Sequence, residues 1–317
     1  MLLLLVAPAM LLAAEPVRVE RSLDSMGSTY TVVAYGENKF RLLAAVDEAF
    51  EEVRRLDHLL SNYRPGSEWS QVNRYAAERP VQVSEELYRL LSDCIEYSRA
   101  SGGTFDITVG PLMKVWGFYK GSGRFPHRAE IRGALARVGY RNIVLDPVAR
   151  TVAFRKAGVE MDPGGIGKGY AVDRMVEVLR SNGVESALIS AGSSSIYALG
   201  SPPEEKGWRI SIRHPKDERK TVQDFYLKNE SISTSGNYEK FFFARGKMYS
   251  HIMDPRTGYP ADGVVSVSVV APKTIDSEAW TKPFFILGRE WTAQNKPKGF
   301  RVFLCEDRSE PACALLQ

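Results

Sequence analysis

An α+β fold is expected from three features of the sequence. Helical and strand-like segments are mixed without the regular strand–helix–strand alternation of a doubly wound parallel sheet. The clearest helix, over residues 40–61, carries Leu43, Val46, Phe50, Val53 and Leu60 on one stripe with charges opposite. Much of the second half of the chain is a succession of short, strand-length runs.

In chain order, residues 28–35 (STYTVVAY) read as a strand ahead of the 40–61 helix. Residues 61–73 (SNYRPGSEWSQVN) read as a turn-rich loop. A second helix starts at about Ser84, whose hydroxyl suits an N-cap, and stops at Gly102. Residues 142–156 read as a hairpin around Asp146 and Pro147. A helix over about 167–182 ends at Asn182 and Gly183. Short strands follow at 186–190, 208–213, 225–229, 240–250 and 263–271, then a helix over 276–287 and a strand over 300–305. No repeat, low-complexity tract or long linker divides the chain.

The 317 residues are 44% hydrophobic and 25% charged, enough for a sizeable core. The net charge of +4 is mild, and no Lys/Arg run interleaves with aromatics, so nucleic-acid binding has no footing. Residues 1–14 are apolar and end in Ala13 and Ala14, like the h-region of a secretory signal; a membrane span needs ~20 such residues. The basic n-region of such a signal is missing, and a buried N-terminal helix is the alternative. Export to the periplasm or another extracytoplasmic space is the matching expectation. No cysteine follows this segment, so a lipoprotein anchor is not indicated. The cysteines, Cys94, Cys305 and Cys313, form no CxxC pair, which argues against a zinc site. Cys94 lies on a helical pattern and is expected in the core. Cys305 and Cys313 are able to pair under oxidising conditions, but nothing in the sequence demands it.

The densest chemistry lies in MDPGGIGKGYAVD (161–173). It fails the Walker pattern, because Lys168 is followed by Gly169 rather than Ser or Thr. It also fails GxGxxG. What remains is general: glycines let backbone N–H groups approach an anion, a helix start adds positive potential, and Lys168 adds a charge. A tight strand-to-helix turn with no ligand is the alternative. Two further clusters stand out. TFDITVGPLMKVWGF (104–118) sets Asp106 among hydroxyls and aromatics. YSHIMDPRTGYPA (249–261) places His251, Asp254 and Arg256 in a rigid turn, and His is the side chain poised to move protons near neutral pH. The other histidines, His58, His127 and His214, sit in charged or proline-flanked stretches.

Six ordered segments together resemble the ApbE family of FAD:protein FMN transferases: MGSTY (26–30), SNYRPGSEWSQVN (61–73), FDITVGPLMKVWGF (105–118), MDPGGIGKGYAVDR (161–174), STSGNYEKFF (233–242) and YSHIMDPRTGYP (249–260). The resemblance implies one unit over 22–305 with a C-terminal tail at 306–317. It implies two lobes, mixed sheets and flanking helices, with FAD in the cleft between the lobes. The implied reaction moves FMN from FAD to a threonine hydroxyl of an acceptor redox protein, forming a phosphoester and releasing AMP. Mg²⁺ is the implied cofactor. The implied acceptor is an exported redox subunit with a Ser/Thr motif, which can be membrane-associated. By the same resemblance, Met26, Tyr63, Thr104, Phe105, Asp106, Asp162, Lys168 and Met253 contact FAD. His251 takes the acceptor's proton, oriented by Asp254. The carbonyl of Gly165, with Glu278 and Thr281, binds the metal. Tyr63, Phe105 and Trp116 also fit a plain core role.

The sequence departs from the family twice. SAGSSSIY (190–197) stands where an Asn-x-Gly-Gly-Asp element is expected: Ser190 replaces the Asn, a serine replaces the Asp, and one residue is inserted. In TIDSEAWTKPFFILG (274–288), alignment on the terminal Phe-x-Leu-Gly sets Glu278 on a metal-binding Asp and Lys282 on a metal-binding Thr. Thr281 is one residue off, and Asp276 is an alternative. Pro283 is expected to distort the start of this helix. These departures keep open an FAD pyrophosphatase giving FMN and AMP, and an FAD-binding protein without turnover.

Overall fold

Strands β1 (Val17–Ser25) and β2 (Ser28–Gly36) form a hairpin in which Tyr30, Val32 and Ala34 alternate inward. Its two turn residues, Met26 and Gly27, have φ of 50° and 68°. This left-handed pair matches the twist of the flanking strands. The computed structural model describes residues 16–308 and 312–317, so the signal-like segment 1–14 lies outside the described residues.

Helix α1 (Lys39–Leu60) follows, with the Asn38 side chain accepting from the Phe40 and Arg41 amides. Helix α2 (Glu68–Tyr75) occupies part of the stretch expected to be loop. Ser67 caps it, and Trp69 and Val72 bury one face, so a short amphipathic turn overrides the polar composition. Next come β3 (Val81–Gln82), α3 (Glu85–Ala100) capped by Ser84, α4 (Gly110–Val115) and α5 (Arg128–Leu135). The expected hairpin is present as β4 (Ile143–Asp146) and β5 (Thr151–Phe154), which join β3 in a small sheet.

Helix α6 (Gly167–Ser181) leads into β6 (Ser186–Ala191), β7 (Ser195–Leu199), β8 (Trp208–His214), β9 (Asp217–Leu227) and β10 (Glu230–Gly236). The single strand expected over 240–250 is two, β11 (Phe241–Ala244) and β12 (Lys247–Ser250), because Arg245 and Gly246 reverse the chain at φ 53° and 73°. Strand β13 (Val264–Ala271) is buried at every position. Helix α7 (Thr274–Asn295) tolerates Pro283 within it; the non-helical backbone falls at Gly288, with φ 75° and ψ −171°. Strand β14 (Arg301–Glu306) follows, and residues 312–316, expected in a tail, form β15 (Ala312–Leu316). A Cys305–Cys313 disulfide links β14 to β15.

The main sheet is antiparallel in the order β1-β2-β6-β7-β10-β13-β14-β15. Helices α1, α6 and α7 cover one face, joining Val46, Phe50, Val172 and Met175 to the inward side of β2 and β6. The β8–β9 ribbon covers the other, setting Trp208, Ile210 and Phe225 against Ile232, Val270 and Phe303. A smaller lobe packs around Trp116 with Leu112, Ile131, Ala134 and Met253, against Phe242 and Tyr249 of β11–β12. Trp116, fully buried, donates from Nε1 to the Gly258 carbonyl at 2.9 Å, so its role is core packing. Among the described residues no helix is long and apolar enough to cross a membrane.

Candidate functional site

A cleft of about 460 Å³ runs between the main sheet and the smaller lobe. Every residue proposed from the sequence lines it except Asp254 and the alternative Asp276.

One edge is the β1–β2 turn. Met26 sits in left-handed backbone, a strained position for a non-glycine residue that costs of order 1 kcal/mol. Its sulfur accepts from Tyr30 Oη at 3.3 Å, and its methyl group packs beside Gly167. Tyr63 is 76% exposed and meets Tyr119 edge-to-face at 6.4 Å, so it is a rim aromatic rather than core. Phe105 is buried against Tyr97, and Thr104 donates to the Ser101 carbonyl at 2.9 Å. The Asp106 carboxylate accepts from the Thr108 amide (2.8 Å), the Thr108 hydroxyl (2.6 Å) and the Tyr140 amide (2.6 Å). Burial raises its pKa while these donors lower it. Those bonds spend the carboxylate on shaping the 104–109 loop.

The glycine loop forms the floor. Trp69 Nε1 and Asn73 Nδ2 both donate to the Met161 carbonyl, and Asn73 Oδ1 accepts from its amide, which pins the loop's entry. Asp162 accepts from the Gly164 amide at 2.7 Å and from Tyr119 Oη at 2.5 Å. Burial pushes this carboxyl up. The N-cap residue of α6, Ile166, offers no side-chain cap; Glu278 takes the Gly169 amide, which leaves the start of the helix at Gly167 and Lys168 on the cleft. Lys168 donates to the Ser194 hydroxyl, in the segment where a carboxylate was expected. The partner is neutral, so the charge of Lys168 remains available. Ser194 and Ser195 continue the floor, and Ser195 Oγ is buried with no partner.

On the smaller lobe, His251 shares a hydrogen bond between Nδ1 and the Lys240 carbonyl at 3.1 Å. A carbonyl only accepts, so Nδ1 carries the proton and Nε2 keeps its lone pair. Burial takes this histidine down to about 4, with Lys240, Lys282 and Lys168 adding to the shift, so it is neutral near pH 7. Asp254 does not orient it. Asp254 accepts from Arg256 Nε (2.9 Å) and Nη2 (2.8 Å) and from the Arg256 amide, closing its own turn. The short sequence spacing between Asp254 and His251 misled, because the turn directs the carboxylate to its local arginine. Lys240, Tyr119 and Ser194, none proposed from the sequence, hold the groups that were; only their adjacency to the motifs marked them.

The third wall is α7. Glu278 lines the cleft, whereas Asp276 is held by Tyr97 Oη, which settles the register between them. Glu278 is 3% exposed and its Oε2 accepts from the Gly169 amide. Thr281 Oγ1 donates to the Glu278 carbonyl at 2.7 Å and accepts from Ser235 Oγ at 2.8 Å. Lys282 Nζ donates to the same carbonyl at 2.9 Å. Burial lowers this lysine to about 8, and Glu278 opposes that shift. None of Lys168, Lys240 and Lys282 has a carboxylate ion pair among the described residues. A divalent cation wants several free, hard oxygens. Here the Thr281 hydroxyl is bonded on both sides, one Glu278 oxygen is taken, and an ammonium stands among them. Among the described residues no cluster of three acidic, His or Cys side chains offers another place. This donor set does not fit the expected metal.

The ApbE family model matches residues 26–304. An FAD:protein FMN transferase from Klebsiella pneumoniae is 33% identical over 84% of each chain. One from Treponema pallidum is 32% identical over 78% of this chain and 72% of its own. Among solved structures, the ApbE protein of Thermotoga maritima superposes with a TM-score of 0.86 at 30% identity, over 94% of this chain and 96% of that one. The flavin transferase ApbE of Vibrio cholerae gives 0.81 at 25% identity, over 95% and 96%.

Proposed function

This chain belongs to the ApbE family, and we propose that it is an FAD:protein FMN transferase that moves FMN from FAD to a threonine hydroxyl of an acceptor protein and releases AMP. The acceptor oxygen forms a bond to the FMN phosphorus, the anhydride P–O bond breaks, and AMP leaves with the electron pair. The hydroxyl proton goes to Nε2 of His251. The observation that carries this reading is a neutral histidine with a free Nε2, in one cleft with Lys168, Lys240 and Lys282, none of them in a carboxylate ion pair among the described residues, and with the first residues of α6. Phosphoryl-group transfer needs charge neutralisation and positioning above all, and these groups supply both.

The flavin's place is between Met26, Tyr63, Phe105 and Met253, whose apolar and aromatic faces suit ring stacking. The Lys168 side chain and the Gly167 and Lys168 amides at the start of α6 take the pyrophosphate. Mg²⁺, implied by the family, receives no step here, because the α7 donors do not match it. The acceptor is proposed to be an exported redox protein with a Ser/Thr motif, at times membrane-associated, which the Cys305–Cys313 disulfide suits by its need for an oxidising compartment.

The test mixes the protein with FAD and a flavinylation-motif acceptor, then reads flavin fluorescence on the denatured acceptor. A covalent FMN adduct on threonine, lost in His251→Gln, is expected. FAD binding without an adduct would overturn the transferase reading. Free FMN and AMP without acceptor would instead identify a pyrophosphatase.

A further inference from the structure

We propose that the Lys282 ammonium occupies the place of a divalent cation, so that this chain neutralises the FAD pyrophosphate with a charge built into α7. The proposal rests on the flavin-transferase reading above and concerns how that site supplies its cation.

The geometry carries it. Lys282 follows Thr281 on α7, and its side chain turns back so that Nζ donates to the Glu278 carbonyl at 2.9 Å. Its terminal carbon lies against the glycine loop: a Cβ placed on Gly165 would sit 3.4 Å from Lys282 Cε. The ammonium is therefore next to all three groups expected to gather round a metal, Gly165, Glu278 and Thr281. Two of those groups are already engaged from within the chain. The Thr281 hydroxyl bridges Ser235 and the Glu278 carbonyl, and Glu278 Oε2 holds the Gly169 amide.

Charge points the same way. Lys282 interacts favourably with Glu278 and unfavourably with Lys168, so the three share one pocket at the cleft floor. A dication introduced there would face both ammonium groups at short range in a poorly solvated setting, where like charges repel strongly. An anionic pyrophosphate would instead be attracted to both. Lysine is a compact point charge with three N–H donors. One donor is spent on the Glu278 carbonyl, which leaves two for phosphate oxygens.

The test measures FAD affinity by quenching of flavin fluorescence, with EDTA and with excess Mg²⁺, for the wild type, Lys282→Met and Lys282→Thr. Mn²⁺ binding to each, without FAD, is followed by electron paramagnetic resonance. The wild type is expected to bind FAD equally well in EDTA and in Mg²⁺, and to bind no Mn²⁺. Lys282→Met is expected to lose about tenfold or more in FAD affinity, the worth of a charged hydrogen bond, and not to recover in Mg²⁺. Lys282→Thr is expected to show the same loss in EDTA, to recover with Mg²⁺ and to gain Mn²⁺ binding. Wild-type binding of FAD that requires Mg²⁺, or stoichiometric Mn²⁺ binding by the wild type, overturns the proposal even if neither variant folds. The flavin-transferase reading survives that outcome. A wild type that binds no FAD under either condition refutes both.

Discussion

Replacing Gly169 by Ala tests the junction that brings Glu278 into the cleft. A Cβ on Gly169 would lie 2.6 Å from the Thr274 carbonyl oxygen, 2.9 Å from the Thr274 carbonyl carbon and 2.8 Å from Glu278 Oε2. Two of these atoms are backbone, so no rotamer relieves the clash and α6 must move away from α7. Overpacking of this kind costs about 3 kcal/mol at its upper range, and alanine's advantage in a helix interior returns about 1, leaving a net loss of about 2 kcal/mol. At roughly 2–3 °C per kcal/mol for a domain of this size, the midpoint of thermal unfolding should fall by about 4–6 °C. The amide that holds Glu278 moves too, so FAD affinity should fall in parallel. Gly133 in α5 is the control, because a Cβ there meets nothing within 4 Å. Gly133→Ala should raise stability by about 0.5–1 kcal/mol without touching FAD binding. Circular dichroism melts and fluorescence titrations read both variants. If Gly169→Ala melts with the wild type and binds FAD as tightly, the close α6–α7 approach is wrong.

Other residues give sharp expectations. The Asp173 carboxylate caps α7 from α6, accepting from the Thr274 and Ile275 amides at 2.7 and 2.9 Å, and burial raises it from 3.8 to about 6. A raised carboxyl stabilises the fold below the unfolded value and loses that contribution as pH rises through about 6. The wild type should therefore lose roughly 2 kcal/mol between pH 4 and 6.5 relative to Asp173→Asn, and parallel urea-denaturation curves would contradict this. Because His251 is held near 4, the acid limb of kcat/KM should lie near that value and not near 6.5, and His251→Gln should lower kcat by about 10²–10⁴ while leaving FAD binding in place. Asp254→Asn breaks the Arg256 ion pair but should leave that acid limb unmoved; a shift would restore Asp254 to a role in orienting His251.

Local chemistry was readable where it was encoded locally. The helix at 40–61, the Ser84 cap and the hairpin at 142–156 follow from side-chain periodicity and turn residues, which act over a few positions. The same holds for His251, Lys168 and the glycine loop, whose residue types are scarce and clustered. Strands β1, β7, β10 and β15 escaped notice because pairing with neighbours in the sheet, not their own composition, makes them strands: β1 and β15 are largely unburied edges, and Ser231 and Ser233 of β10 are buried only because α7 and β13 cover them. The 61–73 stretch looked polar enough for a loop until Trp69 found its partner in Met161, far along the chain.

The sequence by itself determined an α+β chain with a glycine-rich loop carrying Lys168, a histidine in a tight polar turn and the motifs of its family, since each of these is written in residues within a few positions of one another. Only the tertiary structure decided what those residues touch. It joined Gly169 to Glu278 and Lys168 to Ser194, gave His251 to the Lys240 carbonyl and Asp254 to Arg256, and turned Lys282 onto the Glu278 carbonyl beside Gly165. The physical reason is that a hydrogen bond or an ion pair depends on distance in space, and α6, α7 and β11–β12 meet at the cleft only because the sheet packs them there.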